Sequence, residues 1–431
     1  MIKVKERKKN MNNKKVGIEA INFYSGTAYL DVYKLAKHRG LDLTRFENLL
    51  MKEKTVPMPY EDPVSIGVNA AKPIVDQLTK EEKNSIEMVI TCTESGIDFG
   101  KSISTYIHEY LGLKRNCRLF EVKNACYSGT AGFQIAINFI LSQTSPKAKA
   151  LVIATDLSRF MTAEPGESLM EDWSFAEPSG GAGAVCMLIS DQPYVFQVDI
   201  GANGYYGYEI MDTCRPIPDS EAGNSDKSLN SYMDCFEGAY EEYRRRVANV
   251  DYLKTFQYLA FHTPFGGMIK GVHRRKMRSE YHITKEEAEL DFQERVMPGL
   301  TFCQRVGNVM GATVFLSLIS TICNGDFRKP KRIGCFSYGS GCCSEFYSGV
   351  VTSKGQEIVK KLNIIRCIDS RYELNMEQYE NLLQGNNAVR FGTRNVKVDK
   401  EMIPEALPVN SGHKILILDE IKEYHRKYIW I

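Results

Sequence analysis

The stretch that most constrains how this 431-residue chain folds is LFEVKNACYSGTAGFQIAINFILS, residues 119–142. It predicts a short strand, a tight turn of small residues and a long helix, with Cys126 in the turn. Because the helical part is apolar on nearly all sides, we expect the helix to be buried in the middle of a large domain. The turn and its cysteine would then face an internal site.

Cys126 sits where free backbone N–H groups and the positive end of a helix dipole favour thiolate over thiol. A thiolate is a nucleophile, so the position suits covalent catalysis. Ser128, Gly129 and Thr130 leave room for a bound acyl group and offer donors for an oxyanion. The alternative is a small buried cysteine without a chemical role, the usual state of this residue. Strand, turn and buried helix together favour the nucleophile.

Four other segments repeat the plan of a buried strand or apolar helix next to a polar turn. They are 86–96 (IEMVITCTESG), 147–158 (KAKALVIATDLS), 256–267 (FQYLAFHTPFGG) and 306–320 (VGNVMGATVFLSLIS). Strands that alternate with helices predict an α/β sheet with its site along the carboxyl edge of the strands. The shared rhythm of the two halves hints at an internal duplication.

Composition limits the classes of protein that this chain can belong to. With 43% apolar and 25% charged residues it can bury a large core, and a net charge of +2 gives no general reason to expect nucleic-acid binding. No apolar run approaches the roughly 18 residues of a membrane span. The twelve cysteines show no zinc spacing, and without a signal peptide they predict reduced thiols, no metal site and a cytoplasmic protein. Residues 1–15 hold seven Lys or Arg and predict a disordered basic tail.

Three polar residues share with Cys126 a position in a turn at the end of a strand or the start of a helix. Glu94 follows the strand MVITCT, His262 follows QYLAF, and Asn308 precedes an apolar helix. A partly desolvated carboxylate suits acid/base work, and a neutral histidine or an amide can donate to a carbonyl. Taken singly, a helix cap, a core histidine and a turn former explain them equally well. Four residues at equivalent positions favour a common site.

In order along the chain, TESG, NACYSGT, FHTPF, GNVMGAT and SYGSG resemble the 3-hydroxy-3-methylglutaryl-CoA synthase family. The glutamate of TESG separates that family from the ketoacyl synthase III enzymes, which use Cys, His and Asn. The resemblance implies a duplicated, five-layered (αβαβα) thiolase-type fold with loop insertions around the active site. One half, 16–190, would carry Glu94 and Cys126, and the other, 191–431, would carry His262 and the asparagine.

The same resemblance implies a role for each site residue. Cys126 would take an acetyl group as a thioester, and Glu94 would remove a methyl proton from it and later protonate the new tertiary alkoxide. His262 would hold and polarise the carbonyl of the acceptor. Hydrolysis would free the product, with no metal or redox cofactor. The residues expected to line or support the acceptor site are Asn308, Tyr338, Gly339, Ser340, Asp156 and, in a loop that matches loosely, Tyr208 with Glu209.

Further stretches, NACYSGTAGFQIAINFIL and HTPFGGMIKGVHRR among them, resemble the subgroup that serves polyketide β-branching. There the acetyl donor and the β-ketoacyl acceptor are both carried on acyl carrier proteins. Carrier proteins are acidic, so a basic docking surface near the site is expected. A solvated helix face explains the same charges equally well. The candidate docking residues are Lys270, His273, Arg274, Arg275 and Lys276, with Lys34, Lys37 and Arg39 as a weaker group.

Two other functions stay open from the sequence. One is the CoA-dependent enzyme of the mevalonate pathway, which would use free acetyl-CoA and acetoacetyl-CoA. The other, of a different class, is a scaffold that binds carrier proteins without catalysis. The presence of Glu94, Cys126 and His262 together disfavours the scaffold. By analogy with thiolase-type folds we expect a homodimer.

Overall fold

A computed structural model describes residues 14–159, 173–218, 220–407 and 414–431. The predicted basic tail lies outside the described residues, apart from its last two. The strands are β1 Gly17–Tyr24, β2 Ala28–Asp31, β3 Glu53–Val56, β4 Ile86–Cys92, β5 Arg118–Val122, β6 Lys149–Leu157, β7 Ala182–Ser190, β8 Phe196–Gly207, β9 Thr213–Ile217, β10 Ser220–Gly223, β11 Tyr258–Phe261, β12 Lys331–Gly339, β13 Cys343–Val351, β14 Tyr372–Glu373, β15 Val396–Lys397, β16 Leu416–Lys422 and β17 His425–Trp430.

The helices alternate with these strands along most of the chain. They are α1 Val32–His38, α2 Leu43–Glu47, α3 Pro63–Val75, α4 Lys80–Asn84, α5 Ser104–Tyr110, α6 Ser128–Ser142, α7 Trp173–Ser179, α8 Ser225–Arg246, α9 Tyr252–Thr255, α10 Gly266–Tyr281, α11 Lys285–Asp291, α12 Met297–Val306, α13 Thr313–Asn324, α14 Ser353–Lys361, α15 Ile364–Asp369 and α16 Met376–Gly385. Across the described ranges, no helix combines the length and the apolar character that crossing a membrane requires.

Nine strands form one mixed sheet in the order β11-β12-β13-β8-β1-β7-β6-β4-β5. Outward from β1, the strands β7, β6 and β4 pair antiparallel, antiparallel and parallel. Outward from β8, the strands β13, β12 and β11 pair in the same sequence. The repeated order agrees with the hinted duplication. The boundary predicted at residues 190 and 191 falls between β7 and β8 and stays a prediction.

Helices α6 and α13 occupy matching places after the two turns that the sequence singled out. The rings of Phe133 in α6 and Phe315 in α13 lie 5.5 Å apart. Near the start of α6, a Cβ on Gly129 would lie 2.1 Å from the carbonyl oxygen of Gly311, so only glycine permits this approach. The two turns are thereby held against each other in the centre of the molecule.

Helix α6 is not buried on all sides, contrary to the prediction. Phe133 and Ile137 pack into the core, whereas Ile135 and Asn138 are exposed. The sequence of α6 places apolar residues on nearly every side of the helix. It did not distinguish the core face from an outer apolar face, because both faces carry large aliphatic side chains.

Candidate active site

A cavity of about 1580 Å³ opens at the carboxyl ends of β4 and β11. The four side chains that the sequence placed in turns of this kind all lie on its wall: Glu94, Cys126, His262 and Asn308. The fold therefore brings together residues that are separated by more than two hundred positions in the chain.

The turn before α6 presents Cys126 to the cavity through a strained backbone. Ala125 has a φ of 40°, in the left-handed region, and the helix begins at Ser128. The thiol of Cys126 lies 3.9 Å from Oε2 of Glu94, which accepts from it. Burial, followed by the negative charges of Glu94 and Asp156, raises the pKa of Cys126 well above its usual value. Burial and these carboxylates oppose the thiolate that is expected at the helix end, and that expectation stays a prediction.

Asp156 supports the loop that carries Glu94. Its Oδ1 accepts from the backbone N–H groups of Glu94 and Ser95, at 2.9 and 3.0 Å, and from the Thr93 hydroxyl at 2.8 Å. Asp156 is fully buried and does not lie on the cavity wall. The structure thus gives it a supporting place, as the sequence implied, without contact to the cavity.

The Glu94 carboxyl group is balanced between burial and a neighbouring cation. Burial raises its pKa to about 7, with further upward contributions from Asp156 and Glu221 and a downward one from Arg215. Nε of Arg215 lies 3.1 Å from Oε1 of Glu94. A carboxyl group with a pKa near 7 can both remove and return a proton at neutral pH.

His262 is held in the uncharged form. Burial lowers its pKa to about 3. Its backbone is fixed from both sides, because its N–H donates to the Phe336 carbonyl at 2.7 Å and its own carbonyl accepts from the Tyr232 hydroxyl at 2.7 Å. Within the described residues, Nδ1 of the ring has no hydrogen-bond partner. A neutral imidazole on the cavity wall can donate one hydrogen bond to a substrate carbonyl.

The side chain of Asn308 is oriented by its own turn. Its Oδ1 accepts from the Met310 N–H at 3.0 Å and from the Thr313 hydroxyl at 2.9 Å. Since the amide oxygen is used in this way, the NH₂ group is the part of the side chain that can act on a ligand. Asn308 is therefore both a turn former, as the alternative reading had it, and a cavity residue.

The turn after β12 contributes in three different ways. Ser340 lies on the cavity wall. The ring of Tyr338 also lines the cavity, but its hydroxyl donates to Oδ2 of Asp212 at 2.6 Å. Gly339 lies off the wall and against the nucleophile turn, where a Cβ would meet the Tyr127 nitrogen at 2.6 Å. Its predicted place in the acceptor pocket is therefore corrected to a packing contact behind Cys126.

Three more expectations differ from the structure. The side chain of Tyr208 packs beside Tyr206, with ring centroids 6.0 Å apart, and of the predicted pair Tyr208 and Glu209 it is Glu209 that reaches the cavity. The hydroxyls of Ser128 and Thr130 are fully buried and lie off the cavity wall, because α6 turns them inward. These hydroxyls are consequently not placed to stabilise an oxyanion at the bound acyl group, whereas donation by the backbone N–H groups of this turn stays a prediction.

Comparison with known proteins identifies the family. Residues 12–193 match the family described as hydroxymethylglutaryl-coenzyme A synthase N terminal, and residues 274–429 match its C terminal counterpart. The chain belongs to the hydroxymethylglutaryl-CoA synthase family. It is therefore an acyltransferase of the condensing type, as the motifs implied.

Individual members of the hydroxymethylglutaryl-CoA synthase family cover the chain almost completely. The polyketide biosynthesis 3-hydroxy-3-methylglutaryl-ACP synthase PksG of Bacillus subtilis (strain 168) is 66% identical over 96% of this chain and 99% of its own. The hydroxymethylglutaryl-CoA synthase of Enterococcus faecalis is 31% identical over 85% and 90%. The solved curacin biosynthetic pathway HMG synthase in complex with acetyl donor-ACP superposes with a TM-score of 0.93 at 62% identity, covering 97% and 100%. The predicted thiolase-type fold is confirmed by this likeness.

Two residues of this synthase that lie against Glu94 escaped the sequence analysis. Arg215 on β9 and Glu221 on β10 both line the cavity, and Nη2 of Arg215 lies 2.8 Å from Oε1 of Glu221. They belong to a turn-rich segment with no helical or strand periodicity, so no pattern placed them over the site. The available signal was an Arg and a Glu within six residues in a segment already expected to cover it.

The basic docking residues predicted on α10 fall into two groups. Lys276 is buried and paired with Glu237 and Glu280, at 2.9 Å each, and His273 is buried 2.8 Å from Asp291. These two are therefore internal, and their predicted place in a docking surface is wrong. Helical periodicity explains the error, because positions three apart on one helix share its inner face.

The remaining basic residues of α10 are accessible. Lys270 and Arg274 both pair with Glu289, at 2.9 and 3.5 Å, and Arg275 lies on the cavity wall. A second, smaller depression, which shares Arg275 with the cavity, is lined by Arg274, Arg275 and Arg278. Arg275 thus borders the site and Arg274 lies beside it, whereas Lys270 lines neither depression.

The weaker group of basic residues is mostly engaged elsewhere. Lys34 pairs with Glu373, and Arg39 donates to Glu177 at 2.8 Å. Lys37 is exposed at the end of α1. None of these three lines the cavity.

Across the part of the chain that the structure describes, no group of His, Cys, Asp and Glu is arranged to hold a metal ion.

Proposed function

We propose that this synthase works on acyl carrier proteins in polyketide β-branching. An acetyl group from an acetyl carrier protein is loaded on Cys126, its enolate adds to the β-keto carbon of a carrier-bound polyketide, and hydrolysis releases a 3-hydroxy-3-carboxymethyl thioester. The observation that carries the chemistry is the 3.9 Å contact between the Cys126 thiol and the Glu94 carboxylate on one cavity wall. The 66% identity to the Bacillus ACP synthase supports the choice of carrier.

Loading requires that the Cys126 thiol lose its proton. Because burial and nearby carboxylates raise its pKa, the thiolate forms as Glu94 accepts the proton across the 3.9 Å contact. The sulfur then forms a bond to the acetyl carbonyl carbon. The bond to the carrier thiol breaks, and that sulfur leaves with the proton returned by the carboxylic acid. Glu94 is ionised again at the end of this step.

Condensation uses the same carboxylate a second time. Glu94 takes a proton from the acetyl methyl group, and the resulting enolate carbon bonds to the β-keto carbon of the acceptor. The neutral ring of His262 donates to the acceptor carbonyl, which becomes the alkoxide oxygen, and Glu94 returns the proton to it. A pKa near 7 suits both directions of transfer. Water then cleaves the thioester at Cys126, and the proposed reaction needs no cofactor beyond the phosphopantetheine of the carriers.

The shape of the cavity supports a long acceptor. Its volume of about 1580 Å³ exceeds the ~300–1000 Å³ of ordinary small-molecule sites. Three apolar side chains on its wall are exposed: Phe99 at 88%, Met211 at 61% and Leu229 at 37%. An apolar surface of this kind fits the hydrocarbon part of a polyketide chain better than the methyl end of an acetoacetyl group.

The charge at the entrance supports binding of acidic carriers. Arg275 on the cavity wall and Arg274 and Arg278 beside it form the entrance patch. We propose that the donor carrier protein docks on this patch. We propose the same patch for the acceptor carrier protein, because both carriers would reach the site through one entrance. Charges at the edge of an interface act chiefly on the association rate and its salt dependence.

A homodimer is part of the proposal. Strand β5 stands at one end of the nine-stranded sheet, where its outer edge has no partner among the described residues, and its residues 119–122 are only partly buried. The neighbouring outer face of α6 exposes Ile135. An unpaired edge beside an apolar helix face is commonly covered by a second copy.

We place the protein in the cytoplasm, because all twelve of its cysteines are free thiols.

The test is a reconstituted reaction with an acetyl carrier protein as donor and an acetoacetyl carrier protein as acceptor. We expect the acceptor carrier to gain the mass of acetic acid, with higher kcat/KM than for acetyl-CoA and acetoacetyl-CoA. Efficient turnover of the free CoA thioesters with no gain from carriers would instead assign the protein to CoA-dependent metabolism. Binding of carriers without any product would leave a scaffold.

A further inference from the structure

Arg215 bridges two carboxylates over the catalytic cavity. Its Nε lies 3.1 Å from Oε1 of Glu94, and its Nη2 lies 2.8 Å from Oε1 of Glu221. All three side chains are largely enclosed, with 15%, 14% and 24% exposed for Arg215, Glu94 and Glu221. The bridge ties the two-stranded β9–β10 sheet to the loop after β4.

We propose that Arg215 is a positioning residue for condensation, which holds the Glu94 carboxylate toward Cys126 and keeps it charged, with Glu221 fixing the guanidinium. This inference rests on the proposed function, because it takes Glu94 as the base of that reaction.

The geometry divides the two oxygens of Glu94 between two tasks. Oε1 faces the guanidinium, whereas Oε2 faces the Cys126 thiol at 3.9 Å. A carboxylate held at one oxygen cannot rotate freely, so the other stays directed at the position of a bound acetyl group. The planar guanidinium can contact both carboxylates through different nitrogens, which a lysine ammonium cannot do with the same directionality.

The charges around Glu94 point to the same residue. It is faced by Asp156 at the end of β6, by Cys126 before α6, by Arg215 on β9 and by Glu221 on β10. Burial and the two carboxylates raise the pKa of Glu94, and Arg215 is the cation among these groups that lowers it. Without the guanidinium, the remaining charges all favour the protonated form, which cannot act as a base.

The experiment measures condensation in a single turnover as a function of pH. Enzyme is first acetylated at Cys126 from an acetyl carrier protein, the adduct is verified by intact mass, and an acetoacetyl carrier protein is then added. We compare wild type with Arg215→Gln, Arg215→Lys and Glu221→Gln. The matched control is Arg328→Gln. Arg328 is exposed and precedes the start of β12, whereas the turn on the cavity wall follows the end of that strand.

We expect Arg215→Gln to move the acidic limb of the pH–rate profile upward by at least about one pH unit. Its rate falls about tenfold further near pH 6 than near pH 9, where it stays below the wild-type value because the bridge is lost. Glu221→Gln moves the limb in the opposite direction, because it removes a negative charge. Arg215→Lys returns the limb toward its wild-type position while the rate stays lower, since the charge is kept and the bridge is lost.

A fall in rate that is equal at every pH would overturn the inference and leave Arg215 a merely structural residue. So would an unchanged acidic limb in Arg215→Gln. If Arg215→Gln fails to fold, Glu221→Gln decides the matter. A downward move of its acidic limb supports the inference, and an unchanged limb or an upward move overturns it. Failure of the proposed function looks different, because wild-type enzyme would then form no adduct or no condensed product at any pH.

Discussion

Gly339→Ala tests how closely the two halves of the synthase are fitted at the nucleophile. A Cβ at this position would lie 2.6 Å from the Tyr127 nitrogen, 2.7 Å from the Tyr127 Cβ and 2.9 Å from the Asn124 carbonyl oxygen. Restoring ordinary contact at 3.4 Å requires a displacement of about 0.8 Å. Two of these three atoms belong to the backbone on either side of Cys126, so the thiol must move with them.

A displacement of about 1 Å at a reacting group can lower a rate about a hundredfold. That loss corresponds to about 2.7 kcal/mol of transition-state stabilisation. We therefore expect Gly339→Ala to slow acetylation of Cys126 by about this factor. Overpacking should also lower the free energy of unfolding by about 1–3 kcal/mol.

The assay is rapid quench of acetyl transfer followed by intact mass, with thermal unfolding in parallel. Gly271→Ala is the matched control, because nothing lies within 4 Å of a Cβ there and the residue is inside helix α10. It should acetylate normally and gain up to about 1 kcal/mol of stability. If Gly339→Ala acetylates within a factor of about three of wild type, the turn after β12 does not position the nucleophile and the reasoning is refuted.

Three further predictions concern charge. The pKa of Glu94 is raised from 4.5 to about 7, so the folded state of wild type loses stability as the pH rises through this window. The free energy of unfolding of Glu94→Gln, measured with denaturant, should therefore rise relative to that of wild type by about 3 kcal/mol between pH 5 and 8. A difference that does not depend on pH would contradict the raised pKa. Arg275→Glu should raise KM for the acetyl carrier about tenfold at low salt and less at high salt, whereas Arg328→Glu should not; equal effects would remove the entrance patch from docking. Lys276→Met should keep carrier KM unchanged, and a rise to match Arg275→Glu would restore Lys276 to the docking surface.

Sequence reasoning located the chemical centre because catalytic side chains stand where strands end. Glu94, Cys126 and His262 each follow a predicted strand, and the turns at the ends of strands are where an α/β sheet carries its site. Asn308 was found through the same logic in the second half. Local pattern singled out these residues as a group, and the resemblance to the family supplied the role of each.

The rest of the site depends on contacts that no local pattern records. Arg215 and Glu221 reach the site because the short two-stranded sheet that carries them folds over the cavity. Their segment of sequence has no periodicity that predicts this. Lys276 lies in a basic run, yet the buried Ile269, Val272 and Met277 mark the inner face of α10 that it shares. That spacing was available from the sequence and would have separated Lys276 from Arg275.

The central claim is that Cys126 carries the acetyl group and that Glu94 is the base which activates it. The most direct measurement is peptide-mapped intact mass of wild type and Glu94→Gln, after loading from an acetyl carrier protein and again after adding the acceptor. We predict an adduct at Cys126 in both proteins, formed more slowly in Glu94→Gln because an amide cannot take the thiol proton, and loss of the adduct on adding the acceptor in wild type only. An adduct at another residue, or its consumption by Glu94→Gln at the wild-type rate, would contradict the account.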